Sequence, residues 1–173
     1  MKTMIVCVSV SHGNTRKVAG VMGEVLHATV VEPEEVTAAE VAGCDLVGFG
    51  SGIYGMAFHP RLYRFVRSLP RVEGKKAFVF ATSGGPPLPF WPLTRVLIQL
   101  LRSKGFEVVG TFSCRGFDTW LPLRLVGGIN KGRPDTADLD AARAFAATLK
   151  PRPSPTGGAG SGDGHRVPTD QGA

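Results

Sequence analysis

Cysteine is scarce in this 173-residue chain: three residues, at 7, 44 and 114, odd in number and far apart. That argues against a disulfide-built fold and points to a reducing, cytoplasmic compartment with a core-stabilised domain. Long apolar runs are missing as well. No window approaches the roughly 18 uninterrupted apolar residues that a membrane-spanning helix requires. The apolar stretch at 4–8 is short, is followed by Ser9 and Ser11, and has no small-x-small cleavage site after it. It reads as a first buried strand, not an export signal. Carboxylates are under-represented, 14 against 20 Lys and Arg, leaving a formal charge of +6. Apolar residues are plentiful at 43%, which excludes a chain disordered throughout. The length suits one domain on the usual scale of about 100–200 residues, and no internal repeat is visible.

Glycine (23) and proline (13) are abundant but unevenly placed. Residues 151–173 hold six Gly and four Pro, with only Ala159, Val167 and Ala173 apolar. Such a segment cannot bury enough to offset the entropy of ordering it, so a disordered Gly/Pro-rich tail is expected there. Its charges cancel, Arg152 and Arg166 against Asp163 and Asp170, and the positive charge belongs to residues 1–150.

Within 1–150, short apolar or β-branched runs at 4–8, 45–50, 77–82 and 108–114, with a weaker one at 28–31, predict buried parallel strands. Amphipathic stretches alternate with them: Val18/Met22/Val25, Leu62/Phe65/Val66/Leu69, Leu93/Val96/Leu97/Leu100/Leu101 and Leu139/Ala142/Ala146/Leu149. Thr37-x-x-Glu40 predicts a short capped helix over 38–42, and Asp135 after Pro134 predicts the cap of the last helix. Five βα units imply an α/β fold with a doubly wound, five-stranded parallel sheet. Ligands of such sheets bind beyond the carboxyl ends of the strands, so the residues just after each strand become the candidates.

After the first strand, Ser9-Val10-Ser11-His12-Gly13-Asn14-Thr15 opens directly into a helix. Backbone N–H groups and the positive end of the helix dipole make such a loop an anion site, typically for phosphate. A plain helix cap by Asn14 or Thr15 is the bland alternative. After the third strand come Ser51-Gly52-Ile53-Tyr54-Gly55, with Pro60 suited to a first helical turn. After the fourth come Thr82-Ser83-Gly84-Gly85 and, further on, Phe90 and Trp91. Glycines that permit close backbone approach, combined with aromatic rings, suit a large planar ligand held between two loops.

In these segments, Ser-His-Gly-Asn-Thr-Arg-Lys-Val-Ala (11–19), Gly-Ser-Gly-Ile-Tyr-Gly (50–55) and Thr-Ser-Gly-Gly (82–85), the sequence resembles the flavodoxin-like family of FMN-binding proteins. The stretches 113–119 and 127–134 resemble an uncharacterised subgroup of that family. The resemblance covers 1–150 and implies the family's own strand order, 2-1-3-4-5, with FMN at the switch point. It implies that Ser9, Ser11, His12, Gly13, Asn14 and Thr15 hold the phosphate. Ser51, Gly52, Ile53, Tyr54 and Gly55 would form the first isoalloxazine loop, with Tyr54 as the stacking aromatic and Gly55 as the residue whose peptide flips. Thr82, Ser83, Gly84 and Gly85 would form the second, with Phe90 or Trp91 over the other ring face. Two departures stand out. Hydroxyls commonly sit three and one residues before the loop glycine, where this chain has Val10 and His12. Flavodoxins are commonly acidic, whereas this domain is basic.

Other chemistries find little support. Gly50-x-Gly52-x-x-Gly55 follows the wrong strand for a dinucleotide fingerprint. Cys7 lacks the Arg six positions on that a phosphatase loop requires, and no Gly-x-Ser-x-Gly elbow exists. The four His show no metal-ligand spacing, and the thiols read as buried strand-associated residues. Arg61, Arg64, Arg67 and Arg71 form a basic stripe: a solvated face, or a docking surface for an acidic partner or for nicotinamide-cofactor phosphates. No nucleic-acid motif accompanies it. The segment 115–134 is long for a connection that typically takes about 2–6 residues. The expectation is an FMN-binding redox protein in electron transfer. An FMN-dependent NAD(P)H or quinone oxidoreductase is the alternative, and a flavin-free α/β interaction module the third. No acid–base catalyst is assigned.

Overall fold

The computed structural model describes residues 1–10, 12–54, 56–84, 90–116 and 132–151. The proposed tail beyond 151, the segment 117–131, and Ser11, Gly55 and Gly85 lie outside the described residues.

Five strands lie parallel: β1 (Thr3–Val8), β2 (Thr29–Val31), β3 (Leu46–Tyr54), β5 (Lys75–Ser83) and β6 (Phe106–Arg115), in the spatial order β2-β1-β3-β5-β6. A two-residue strand, β4 (Ala57–Phe58), pairs antiparallel with the end of β3. Leaving it aside, the order is the expected 2-1-3-4-5; with it the sheet has six strands. The helices are α1 (Asn14–Leu26), α2 (Ala38–Ala42), α3 (Pro60–Ser68), α4 (Phe90–Ser103) and α5 (Thr136–Thr148), with a 3-10 turn at Pro33–Glu35.

Period-2 alternation along the strands feeds two cores. Val6, Val8, Val47, Phe49, Val79 and Ala81 pack on Leu62, Val66, Leu97 and Leu101 of α3 and α4. Ile5, Cys7, Phe78 and Phe80 pack against Val18 and Met22 of α1 and Ala142 and Ala146 of α5. Two glycines make the second core possible. A Cβ on Gly48 would stand 2.4 Å from the Phe78 ring, and one on Gly50 would stand 2.1 Å from Phe80. Gly50 therefore serves aromatic packing across neighbouring strands, and only the positions beyond it are placed to face a ligand.

Local signals match the structure closely. Thr37 and Glu40 form a reciprocal capping box, Thr37 Oγ1 accepting the Glu40 N–H at 3.3 Å and Glu40 Oε2 accepting the Thr37 N–H at 2.8 Å. Asp135 accepts the Asp138 N–H at 3.0 Å. One expectation fails: Val96, which fits the apolar stripe of α4, is 56% exposed.

Candidate functional site

Parallel pairing brings the carboxyl ends of three strands side by side. Val8 lies opposite Ser51, and Gly52 lies opposite Thr82. The β1–α1 loop bends over this edge through two consecutive left-handed residues, His12 (φ 54°) and Gly13 (φ 68°). A Cβ at Gly13 would meet only open space, so its glycine is required by conformation and not by crowding. Gly13 caps α1, and its carbonyl accepts the Lys17 N–H at 2.9 Å. Ser9 Oγ accepts the Arg16 N–H at 3.3 Å and so supplies a side-chain cap from outside the helix.

Asn14 and Thr15 are buried at 6% and 2% exposure, more deeply than a surface cap requires. Thr15 Oγ1 lies 2.8 Å from Thr82 Oγ1, tying the first helical turn to the end of β5. Asn14 packs against the far side of the same edge, where a Cβ on Gly116 would come within 3.0 Å of its Nδ2. The Gly116 N–H in turn donates to the Ser83 carbonyl at 3.0 Å. The loop after β1 and the ends of β5 and β6 are thus one connected structure.

The residues after Gly50 differ from the loop expected there. Ser51 through Tyr54 continue the strand and turn back through β4, with Ile53 paired to Phe58 and Tyr54 to Ala57. Ser51 is fully buried and committed to this hairpin: its Oγ donates to the Gly52 carbonyl at 2.7 Å and accepts the His59 N–H at 3.0 Å. The Ser51 hydroxyl is therefore occupied within the hairpin. The Tyr54 ring folds over Gly52, where a Cβ would lie 2.9 Å from it, and stands edge-on to His59 at 5.4 Å. His59 Nδ1 accepts the Arg61 N–H at 3.2 Å and caps α3. Burial, then the nearby Arg61 charge, holds the His59 imidazole below its ordinary pKa, keeping that nitrogen an acceptor. The Pro60 at the first helical position was the one sequence signal for this cap.

Around the edge runs an ion network that the sequence did not reveal. Arg61 donates to Glu32 at 2.8 Å and to Glu34 at 2.9 Å, and Arg16 stands 3.7 Å from Glu32. Hydrogen bonding to Arg61 holds the Glu34 carboxyl below the usual range and raises Arg61 above its own. The first arginine of the expected stripe is thereby neutralised. Cys7 is buried in β1, and Cys44 is buried just ahead of β3. Cys114 is half-buried in β6, and desolvation pushes the Cys7 and Cys114 thiols up to about 12.

An anionic group fits the start of α1. The first turn carries no acid, Arg16 and Lys17 follow, and the space beside Gly13 is open. Of the residues expected to surround a ligand, the structure places Ser9, His12, Gly13, Asn14 and Thr15 at the start of α1 and Thr82, Ser83 and Gly84 at and just past the end of β5, with Thr15 and Thr82 joining the two. Gly52, Ile53 and Tyr54 lie on the adjoining strand end.

The arrangement matches known proteins. The flavodoxin domain family model matches residues 5–103, more than half of the chain. An uncharacterized protein of Methanocaldococcus jannaschii is 36% identical over 149 residues, covering 86% of this chain and 98% of its own. The chain belongs to the flavodoxin domain family. Among solved structures, a flavodoxin from the domain Archaea superposes with TM-score 0.63 at 18% identity, covering 86% of this chain and 96% of that one. Flavodoxin 1 of Bacillus cereus gives 0.61 at 18% identity, with 84% and 95% covered. Rubredoxin oxygen:oxidoreductase of Desulfovibrio gigas gives 0.65 at 18% identity, where the match spans 86% of this chain but 35% of that one. These likenesses concern the fold. No helix among the described residues is long and apolar enough to cross a membrane.

Proposed function

We propose that this protein binds FMN at the carboxyl edge of its sheet and transfers electrons. The observation that carries this reading is the Thr15–Thr82 contact, which joins an anion-competent helix start to the strand end beside it. His12, Gly13, Asn14 and Thr15 bind the phosphate through the start of α1, and Ser9 holds the loop to the helix. Tyr54 packs against the ring from the β3–β4 hairpin, with His59 fixing its orientation from the side. Thr82, Ser83 and Gly84 line the other edge, and the resemblance extends the set to Ser11, Gly55 and Gly85. When bound, FMN supplies one- and two-electron chemistry, and the protein contributes binding, orientation and exclusion of water.

An electron carrier needs no general acid or base, and none is assigned. The test is to purify the protein, identify any released flavin, reduce the loaded protein chemically, and assay it with NAD(P)H plus a quinone. A carrier takes up FMN, is reduced in one-electron steps and shows no NAD(P)H turnover. Sustained NAD(P)H oxidation assigns a reductase instead. Failure to retain or rebind FMN overturns the reading altogether.

A further inference from the structure

The outer face of α3 carries charge that the fold does not use. Residues 60–72 contain four arginines and no carboxylate. Arg61 is consumed by Glu32 and Glu34, but Arg64, Arg67 and Arg71 are exposed and make no ion pair among the described residues. Arg67 is not idle. Its guanidinium stands 5.8 Å over the Tyr63 ring, which limits the conformations of its long side chain. At the end of α3, Lys104 Nζ donates to the Arg67 and Leu69 carbonyls, adding a further positive charge.

Shape accompanies the charge. A concavity of about 250 Å³ opens beside the helix, lined by Pro33, Glu34, Arg61, Arg64, Phe65 and Ser68. Phe65 and Pro33 give it an apolar floor between a neutralised arginine and a free one. The helix starts where the β3–β4 hairpin ends, so this face begins at the proposed flavin edge and runs down about 13 Å at the usual rise per residue. At the tip of that hairpin Met56 is 62% exposed with φ +68°. An exposed apolar residue four positions ahead of the helix that carries the unpaired cations resembles the centre and rim of a transient protein interface.

We infer that the α3 face, Arg64, Arg67 and Arg71 together with the Phe65 groove and Met56, docks an acidic redox protein. The inference rests on the electron-transfer reading for the partner's purpose, but not for the docking itself. Charge complementarity names the partner: Arg64 and Arg67 on α3, with Arg71 just past its end, raise the association rate of an acidic surface and orient it toward the flavin edge. Arginines at helical spacing above an apolar groove fit a folded acidic surface better than a nucleic-acid backbone, because no base-reading or stacking element accompanies them.

The test is binding of an acidic plant-type [2Fe–2S] ferredoxin, titrated against the protein at about 20 mM and about 200 mM salt, with flavin content recorded for each sample. The wild type should bind at low salt and weaken at least tenfold at high salt. R64E/R67E/R71E should lose at least tenfold in affinity at low salt together with most of its salt dependence. K2E/R143E/K150E changes net charge equally at surface positions away from α3, with Arg143 and Lys150 in and just after α5 on the other face of the sheet, and should stay within about threefold of wild type. No ferredoxin binding by the wild type, equal losses in the two variants, or tighter binding of a 20-base-pair DNA duplex than of ferredoxin would each overturn the inference. Binding needs no flavin, so a protein that neither retains nor rebinds FMN yet still docks ferredoxin through α3 refutes the FMN reading and leaves the docking face standing.

Discussion

Thr15 and Thr82 are 67 residues apart in sequence, yet their hydroxyl oxygens lie 2.8 Å apart, both side chains buried. One hydroxyl donates to the other, so the first turn of α1 cannot shift without breaking a bond to the end of β5. Replacing one partner strands a buried polar group, which costs about 1–3 kcal/mol. T15V and T82V should each lower stability by that amount, and T15V/T82V by clearly less than the sum, because neither group is then left unsatisfied. Denaturant unfolding of the flavin-free protein checks this.

Gly50 and Gly13 are required for different reasons, and alanine separates them. At Gly50 the new methyl would collide with Phe80, so G50A should destabilise by about 1–3 kcal/mol or more through overpacking. At Gly13 there is room, but the left-handed backbone costs an L-residue about 1–2 kcal/mol. Any FMN deficit in G13A should exceed that in G50A. Unfolding curves and flavin titrations of both variants decide it.

His59 makes stability depend on pH. Its folded-state pKa lies below the unfolded value, so the unfolded chain binds more protons in that range. The stabilisation is complete above the unfolded pKa near 6.5 and is lost as pH falls through the folded value. Protonation also removes Nδ1 as the acceptor for the Arg61 N–H. The melting temperature should therefore fall on acidification below about pH 6.5, and H59N, which retains an acceptor, should flatten that dependence.

The thiols should be inert. Desolvation holds Cys7 near 12, so it offers almost no thiolate at neutral pH. Iodoacetamide should label the native protein slowly and at Cys114 before Cys7, and label all three on unfolding, as mass spectrometry would show.

Much of this architecture is readable from local sequence. The Thr37–Glu40 and Asp135–Asp138 boxes lie within one helical turn, and the apolar runs at 4–8 and 77–82 alternate cleanly between two cores. The end of β3 was harder to read. Gly50-Ser51-Gly52 has the composition of a loop, and its strand geometry comes from pairing on both sides with β1 and β5 and from the Phe80 ring crossing Gly50. Arg61 looked like one member of a solvated stripe because its partners, Glu32 and Glu34, lie 27 to 29 residues away. Val96 has the right period but faces outward, since periodicity places a residue on a helix flank without saying how far the core extends. For the loop after β1, the anion-competent helix start was legible; the burial of Thr15 against Thr82 was not.

In the proposed flavin site, the start of α1 holds the phosphate of FMN. Its most direct test is a titration of flavin-free protein with FMN and with riboflavin, followed by quenching of flavin fluorescence, for wild type and G13D. Wild type should bind FMN at least 100-fold more tightly than riboflavin, and a carboxylate at position 13 should abolish most of that preference while riboflavin binding changes little. Equal affinity for the two flavins, or a G13D protein that keeps the wild-type preference, would contradict it.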